Sequence, residues 1–97
     1  MRMHNPPHPG EFIHEIYLEP FNISTRRVAE KLKVSPSTFN RLINGESNVS
    51  PEMALRLSKT LGRSAESWLV MQDNYNLWRA RNQVNLKTVE KLDIPIV

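Results

Sequence analysis

The sequence predicts an all-α domain, a five-helix bundle with near-perpendicular crossings. Apolar residues recur at three- and four-residue spacing in five separate stretches. Serine stands just before four of them (Ser24, Ser35, Ser50, Ser64), and proline follows directly in Ser35-Pro36 and Ser50-Pro51. A serine hydroxyl accepts from an otherwise unpaired amide one turn ahead, and proline suits the first helical position, where no amide donor is needed. Only brief connections separate the five stretches, so neighbours must pack directly on one another.

In chain order, residues 1–10, containing Asn5-Pro6-Pro7-His8-Pro9-Gly10, read as an extended arm, because proline lacks an amide donor and restricts the residue before it. From Glu11, the residues Phe12, Ile13, Ile16 and Tyr17 lie on a helical stripe beside Glu11, Glu15 and Glu19, an acidic ridge read as a solvated face, and Pro20 is expected to end this helix. Ser24 starts a short helix over about 25–32, with Val28, Ala29 and Leu32 inside. Val34 marks the turn, and Ser35-Pro36 restarts a helix whose apolar residues are Phe39, Leu42 and Ile43. Gly45 suits the left-handed residue past its end. Glu46 to Val49 is a polar loop, and Ser50-Pro51 opens a fourth helix with Ala54, Leu57 and Leu61 that stops at Gly62. Ser64 opens a fifth, carrying Trp68, Leu69, Met71, Tyr75 and Trp78 to about Arg81 or Asn82. The domain therefore spans residues 11–82. Residues 83–97 form a tail in which apolar, β-branched Leu92 to Val97 predicts a short C-terminal edge strand, confined to an edge by Pro95.

Apolar residues make up 39% of the 97, enough for one small core. With no cysteine, neither a disulfide framework nor a thiolate zinc site is available, which fits a reducing cytoplasm. No run of about 18 apolar residues exists to span a membrane, and residues 1–10 lack the apolar stretch of a secretion signal. The net charge of +3 is unevenly spread: residues 1–23 sum to −2, residues 24–63 hold eight bases against three acids, and residues 64–97 balance. A basic block in the middle of the chain suits a polyanion such as DNA.

The stretch Thr25 to Asn44 places small Ala29 where two helices would cross closely and spaces Val28, Leu32, Val34, Phe39 and Leu42 to lock them together. About three residues join the two helices, as a helix-turn-helix requires. The second helix then projects Ser35, Ser37, Thr38, Asn40, Arg41 and Asn44. Short polar side chains let a helix backbone sink into the major groove, and arginine can reach a guanine edge with paired hydrogen bonds. His4, His8 and His14 make no metal site: prolines deny His4 and His8 a shared helix, and Leu18 stands where a zinc-hydrolase pattern begun at His14-Glu15 needs its second histidine. Surface or cap histidines are the better reading. No phosphate loop or nucleophile constellation is present, so neither an enzyme nor a cofactor is expected.

The segments His8-Pro-Gly-Glu-Phe-Ile, Leu18-Glu-Pro-Phe, Arg41-Leu-Ile-Asn-Gly45, Ser50-Pro-Glu-Met-Ala-Leu-Arg-Leu57 and Gln72-Asp-Asn-Tyr-Asn-Leu-Trp78 resemble the HigA-type antitoxins of the phage-repressor-like (XRE) helix-turn-helix family, over roughly residues 8–81. The resemblance implies a dimeric repressor of its own operon that also neutralises an mRNA-cleaving toxin of the HigB type. The alternatives are a stand-alone repressor without a toxin and a protein-interaction module. Position by position it implies Ser37, Thr38 and Arg41 at base edges of double-stranded operator DNA, with Pro36 near a thymine methyl. Thr25, Arg26, Ser35, Asn44, Ser47, Asn48 and the amides near Ser50 fall to phosphate. Two departures stand out: Lys33 occupies the place of the usual turn glycine, so a strained or reshaped turn is expected, and Ser67 and Val70-Met71 replace an expected phenylalanine and Asn-Leu. Trp68, Tyr75 and Trp78 lie on one side of the fifth helix and serve either the core or a homodimer built by the C-terminal third, with Ile94 to Val97 adding edge pairing.

Overall fold

A computed structural model describes residues 5–95. Five helices pack around one core. Helix α1 runs over residues 9–21 as three continuous segments: α-helical Pro9–Ile13, a π-helical stretch His14–Leu18, and α-helical Glu19–Phe21. Then come α2 (Thr25–Leu32), α3 (Pro36–Ile43), α4 (Pro51–Leu61) and α5 (Ala65–Gln83). The core consists of Ile13, Leu18, Val28, Ala29, Leu32, Phe39, Leu42, Val49, Ala54, Leu57 and Trp68, so every helix contributes. The Trp68 indole N–H, which needs a partner once buried, donates to the Gly62 carbonyl at 2.9 Å.

All four serine caps are formed. The hydroxyls of Ser24, Ser35, Ser50 and Ser64 accept from the amides of Arg27, Thr38, Met53 and Ser67 at 3.0–3.1 Å. The fifth cap is His8: its ring Nδ1 accepts from the Gly10 amide at 2.9 Å, with Pro9 at the first helical position. Helix α1 therefore begins at Pro9, two residues before the expected start, and Pro6, His8, Pro9 and Gly10 are buried. Of the segment read as an extended arm, residues 6 and 8–10 are thus packed against the domain, and residues 1–4 lie outside the described residues.

Pro20 does not end α1. The preceding turn widens, so that the Glu19 amide reaches back five residues to the His14 carbonyl. A widened turn at this place absorbs both the donor that proline lacks and the clash of its ring with the carbonyl four residues back. The helix closes one turn later at Asn22, which is left-handed (φ 54°), with the Asn22 amide bonded to the Glu19 carbonyl and the Ile23 amide to the Leu18 carbonyl. The same pair of bonds ends α2 at Lys33 (φ 63°) and α3 at Gly45 (φ 77°). Lys33 thus keeps the left-handed turn that glycine would adopt at no steric cost. Arg56 of α4 braces it, donating from Nη1 to the Leu32 carbonyl at 2.7 Å.

Residues 84–95 are exposed and contain no strand. Isolated extended backbone has no neighbour to bond, and Pro95 removes a donor, so the expected edge strand is not formed over residues 92–95. Ile96 and Val97 lie outside the described residues.

The first turn of α1 approaches α3 so closely that a Cβ on Gly10 would stand 1.9 Å from the Leu42 carbonyl oxygen and 2.8 Å from the Ile43 Cα. Two substitutions should therefore move stability in opposite directions in urea unfolding. Lys33→Gly should stabilise by about 0.5–1 kcal/mol, because it relieves the left-handed backbone. Gly10→Ala should cost about 1–3 kcal/mol, because backbone must shift to admit the methyl.

Candidate nucleic-acid interface

Helix α3 is anchored from behind by Phe39 and Leu42, at 0% and 1% exposure. Its other side presents Pro36, Ser37, Asn40, Arg41 and Asn44, all exposed. Ser37, Arg41 and Asn44 are spaced four and three residues apart and so share one stripe. Thr38 is half-buried, and Ser35 donates its hydroxyl proton to Thr38 Oγ1 at 2.9 Å while accepting from the Thr38 amide at 3.1 Å. Ser35 is therefore committed to the cap. Thr38 retains its own hydroxyl proton for an outward acceptor. Asn40, projected in the sequence reading but given no base, shares this side, and its amide can pair with an adenine edge.

Apart from Ser35 at the start of α3, the residues assigned to phosphate fall on two segments. Thr25 (half-buried) and Arg26 (exposed) form the first turn of α2, where amide donors point out of the helix. Asn44, Ser47, Asn48 and Ser50 belong to the connection from α3 to α4, with Ser47 half-buried and the others exposed. The Ser50 hydroxyl caps α4.

This connection is held by a residue to which the sequence reading gave no role. Gln72 of α5 is 3% exposed. Its Oε1 accepts from the Val49 amide at 2.7 Å, and its Nε2 donates to Asn48 Oδ1 at 3.1 Å and Asn76 Oδ1 at 3.0 Å. A buried amide with all these bonds made is a specific clamp, since each unmet bond would carry a desolvation cost. It also occupies the Asn48 oxygen and leaves the Asn48 NH2 group as the free end, a donor suited to an anion. The signal was present: Gln72 follows Trp68 by four residues, on the same helical face.

Among the described residues the one ion pair joins Arg56 to Glu52 at 2.8 Å, so Arg26, Arg27 and Arg41 keep their charge free for a polyanion. The basic block does not all face the α3 side. Lys31, Lys33, Arg56 and Lys59 line a cleft between the end of α2 and the middle of α4.

A profile of the helix-turn-helix family matches residues 15–68. The HTH-type transcriptional regulator YddM of Escherichia coli K12 is 37% identical over 92 residues, covering 95% of this chain and 97% of YddM. Among solved structures, the antitoxin GraA superposes with a TM-score of 0.86 at 32% identity, over 93% of this chain and 100% of its own. The Pseudomonas aeruginosa antitoxin HigA, solved with the higBA promoter, superposes with a TM-score of 0.79 at 35% identity, over 95% of this chain and 99% of its own. With two motif helices, their shared core and the fifth helix all matched, the chain belongs to the HigA-type antitoxins of the XRE helix-turn-helix family, a family of DNA-binding transcriptional regulators.

Proposed function

We propose that this chain binds the operator of its own operon as a homodimer, represses it, and neutralises an mRNA-cleaving toxin of the HigB type in the cytoplasm. The observation that carries the DNA reading is the two-sided construction of α3: an apolar back locked into the core, and an outward stripe of short polar residues with one free arginine. Such a helix can enter the major groove deeply, with Arg41 reaching a guanine edge and Ser37 and Thr38 reading beside it while Pro36 meets a thymine methyl. Thr25, Arg26, Asn44, Ser47, Asn48 and Ser50 would then flank it on phosphate, those around Ser50 using the amide end of α4, and Ser35 would join them through its backbone amide alone, its hydroxyl being committed to Thr38.

One reading helix with mostly short side chains makes few contacts, so two half-sites about 34 Å apart are the natural target. Exposed apolar side chains support a homodimer: Val70 and Leu77 on α5, and Val84, Leu86, Val89, Leu92 and Ile94 in the tail. The toxin assignment rests on family membership; growth rescue on co-expression with an adjacent RNase-like reading frame tests it.

Fluorescence anisotropy on operator DNA across a salt series tests the DNA reading. Affinity should fall steeply with salt and specificity should persist. Arg41→Ala should cost about 1–3 kcal/mol on the operator and blur preference at one base pair. Equal loss on every sequence would make Arg41 a phosphate contact, and binding indifferent to salt would sink the reading.

A further inference from the structure

Among the described residues, His8 is the only titratable side chain that is buried, at 5% exposure, and nothing in the DNA-reading stripe accounts for it. Its ring joins three parts of the fold. On α1, Nδ1 accepts from the Gly10 amide at 2.9 Å, which leaves Nδ1 without a proton and puts the ring's single proton on Nε2. On α5, the ring meets Tyr75 edge-on, with centroids 5.0 Å apart and planes at 84°. At the end of α3 it covers Gly45, where a Cβ would lie 3.8 Å from His8 Cγ. Gly45 is the left-handed residue that opens the connection carrying Ser47, Asn48 and Ser50.

We propose that His8 is a positioning residue for DNA binding: its neutral ring locks α1 and α5 onto the Gly45 end of the reading helix, and protonation of Nδ1 releases that lock and weakens operator binding. The inference rests on the DNA-binding reading above. A proton on Nδ1 would face the Gly10 N–H, donor against donor, and place a charge in a buried pocket. Burial is the strongest influence on this histidine and holds it below the ordinary value of 6.5. Of the groups facing it, the Ser47 carbonyl and Glu11 of α1 favour the charged ring, whereas Arg79 of α5 opposes it. Nε2 nonetheless makes no well-formed hydrogen bond. Because the folded state holds the proton less tightly than the unfolded chain, the stabilisation from His8 is complete above pH 6.5 and is lost as pH falls through the folded value.

The test is anisotropy on an operator duplex at about pH 7.5 and about pH 5.5 at constant ionic strength, with folding followed by circular dichroism. The wild-type chain should stay helical and bind several-fold more weakly at the lower pH, by less than about tenfold because the folded value lies below 6.5. In His8→Asn, whose side chain can still cap Gly10 but does not titrate, affinity should change by less than about threefold. Positive charge gained elsewhere on the protein would tighten DNA binding, so the sign separates the two origins. A wild-type affinity that is flat or tighter at low pH, an equal loss in His8→Asn, or unfolding of both proteins would overturn the proposal. Nitrogen-15 NMR of the free protein judges the lock without DNA: the Gly10 and Gly45 amides should titrate together in the wild type and stay still in His8→Asn. Amides that do not move overturn the lock, whereas failure to bind the operator at either pH denies the DNA reading instead.

Discussion

The contact on which the DNA-facing side depends is the approach of backbone to backbone between the first turn of α1 and the last turn of α3. Gly10 has no room for a methyl group against the Leu42 carbonyl. That closeness fixes the height of the reading helix relative to α1, while Phe39 and Leu42 fix its rotation by filling the core. The outward side chains of α3 add nothing to this placement, because short exposed polar groups pack on no neighbour. Orientation of the reading stripe is therefore set entirely from behind. Gln72 performs the matching task for the connection to α4, reaching from α5 to hold the Val49 amide and the Asn48 side chain.

This division explains how a small core supports a DNA reader. The side chains proposed to meet DNA, such as Ser37 and Arg41, are exposed, and Phe39 and Leu42, which hold the helix, are almost completely buried. Caps occupy the ends. The Ser35–Thr38 pair both starts α3 and orients a hydroxyl at its entry, so a structural bond and a proposed reading group share the same two residues. Positive charge is spread more widely than the reading stripe: the cleft of Lys31, Lys33 and Lys59 lies at the far end of α2 from Thr25 and Arg26. Net charge alone therefore overstates what α3 and its flanks contribute.

Much of this was legible in the sequence because local rules and the fold agree. Four serines announced four helix starts, Gly45 announced an end, and the spacing of Val28, Leu32, Phe39 and Leu42 located the inner faces. What escaped was non-local or depended on compensation. Pro20 is a stop signal by local rules, yet a widened turn before it carries the helix on to Phe21. The prolines around His8 suggest an extended arm with a surface or cap histidine; His8 is the cap, Pro9 the first helical residue and Gly10 a glycine that permits close packing, so the segment belongs to the helix. Gln72 shares the Trp68 face, a local sign of burial, but its partners Asn48 and Val49 lie 24 and 23 residues away. The tail's apolar, β-branched end satisfied a propensity rule for strand, but a strand also needs a partner, and residues 92–95 have none among the described residues.

The central claim, that the molecule is organised from behind to present α3 and its flanking caps to DNA, is tested most directly by mapping backbone amide shifts as an operator duplex is titrated into the labelled protein. The account predicts the largest changes at Thr25, Arg26, residues 35–44 and residues 47–50, with the Lys31–Lys33–Lys59 cleft and the middle of α5 little affected. Shifts concentrated on that cleft or on the exposed face of α5, with Ser37 and Arg41 unmoved, would contradict it.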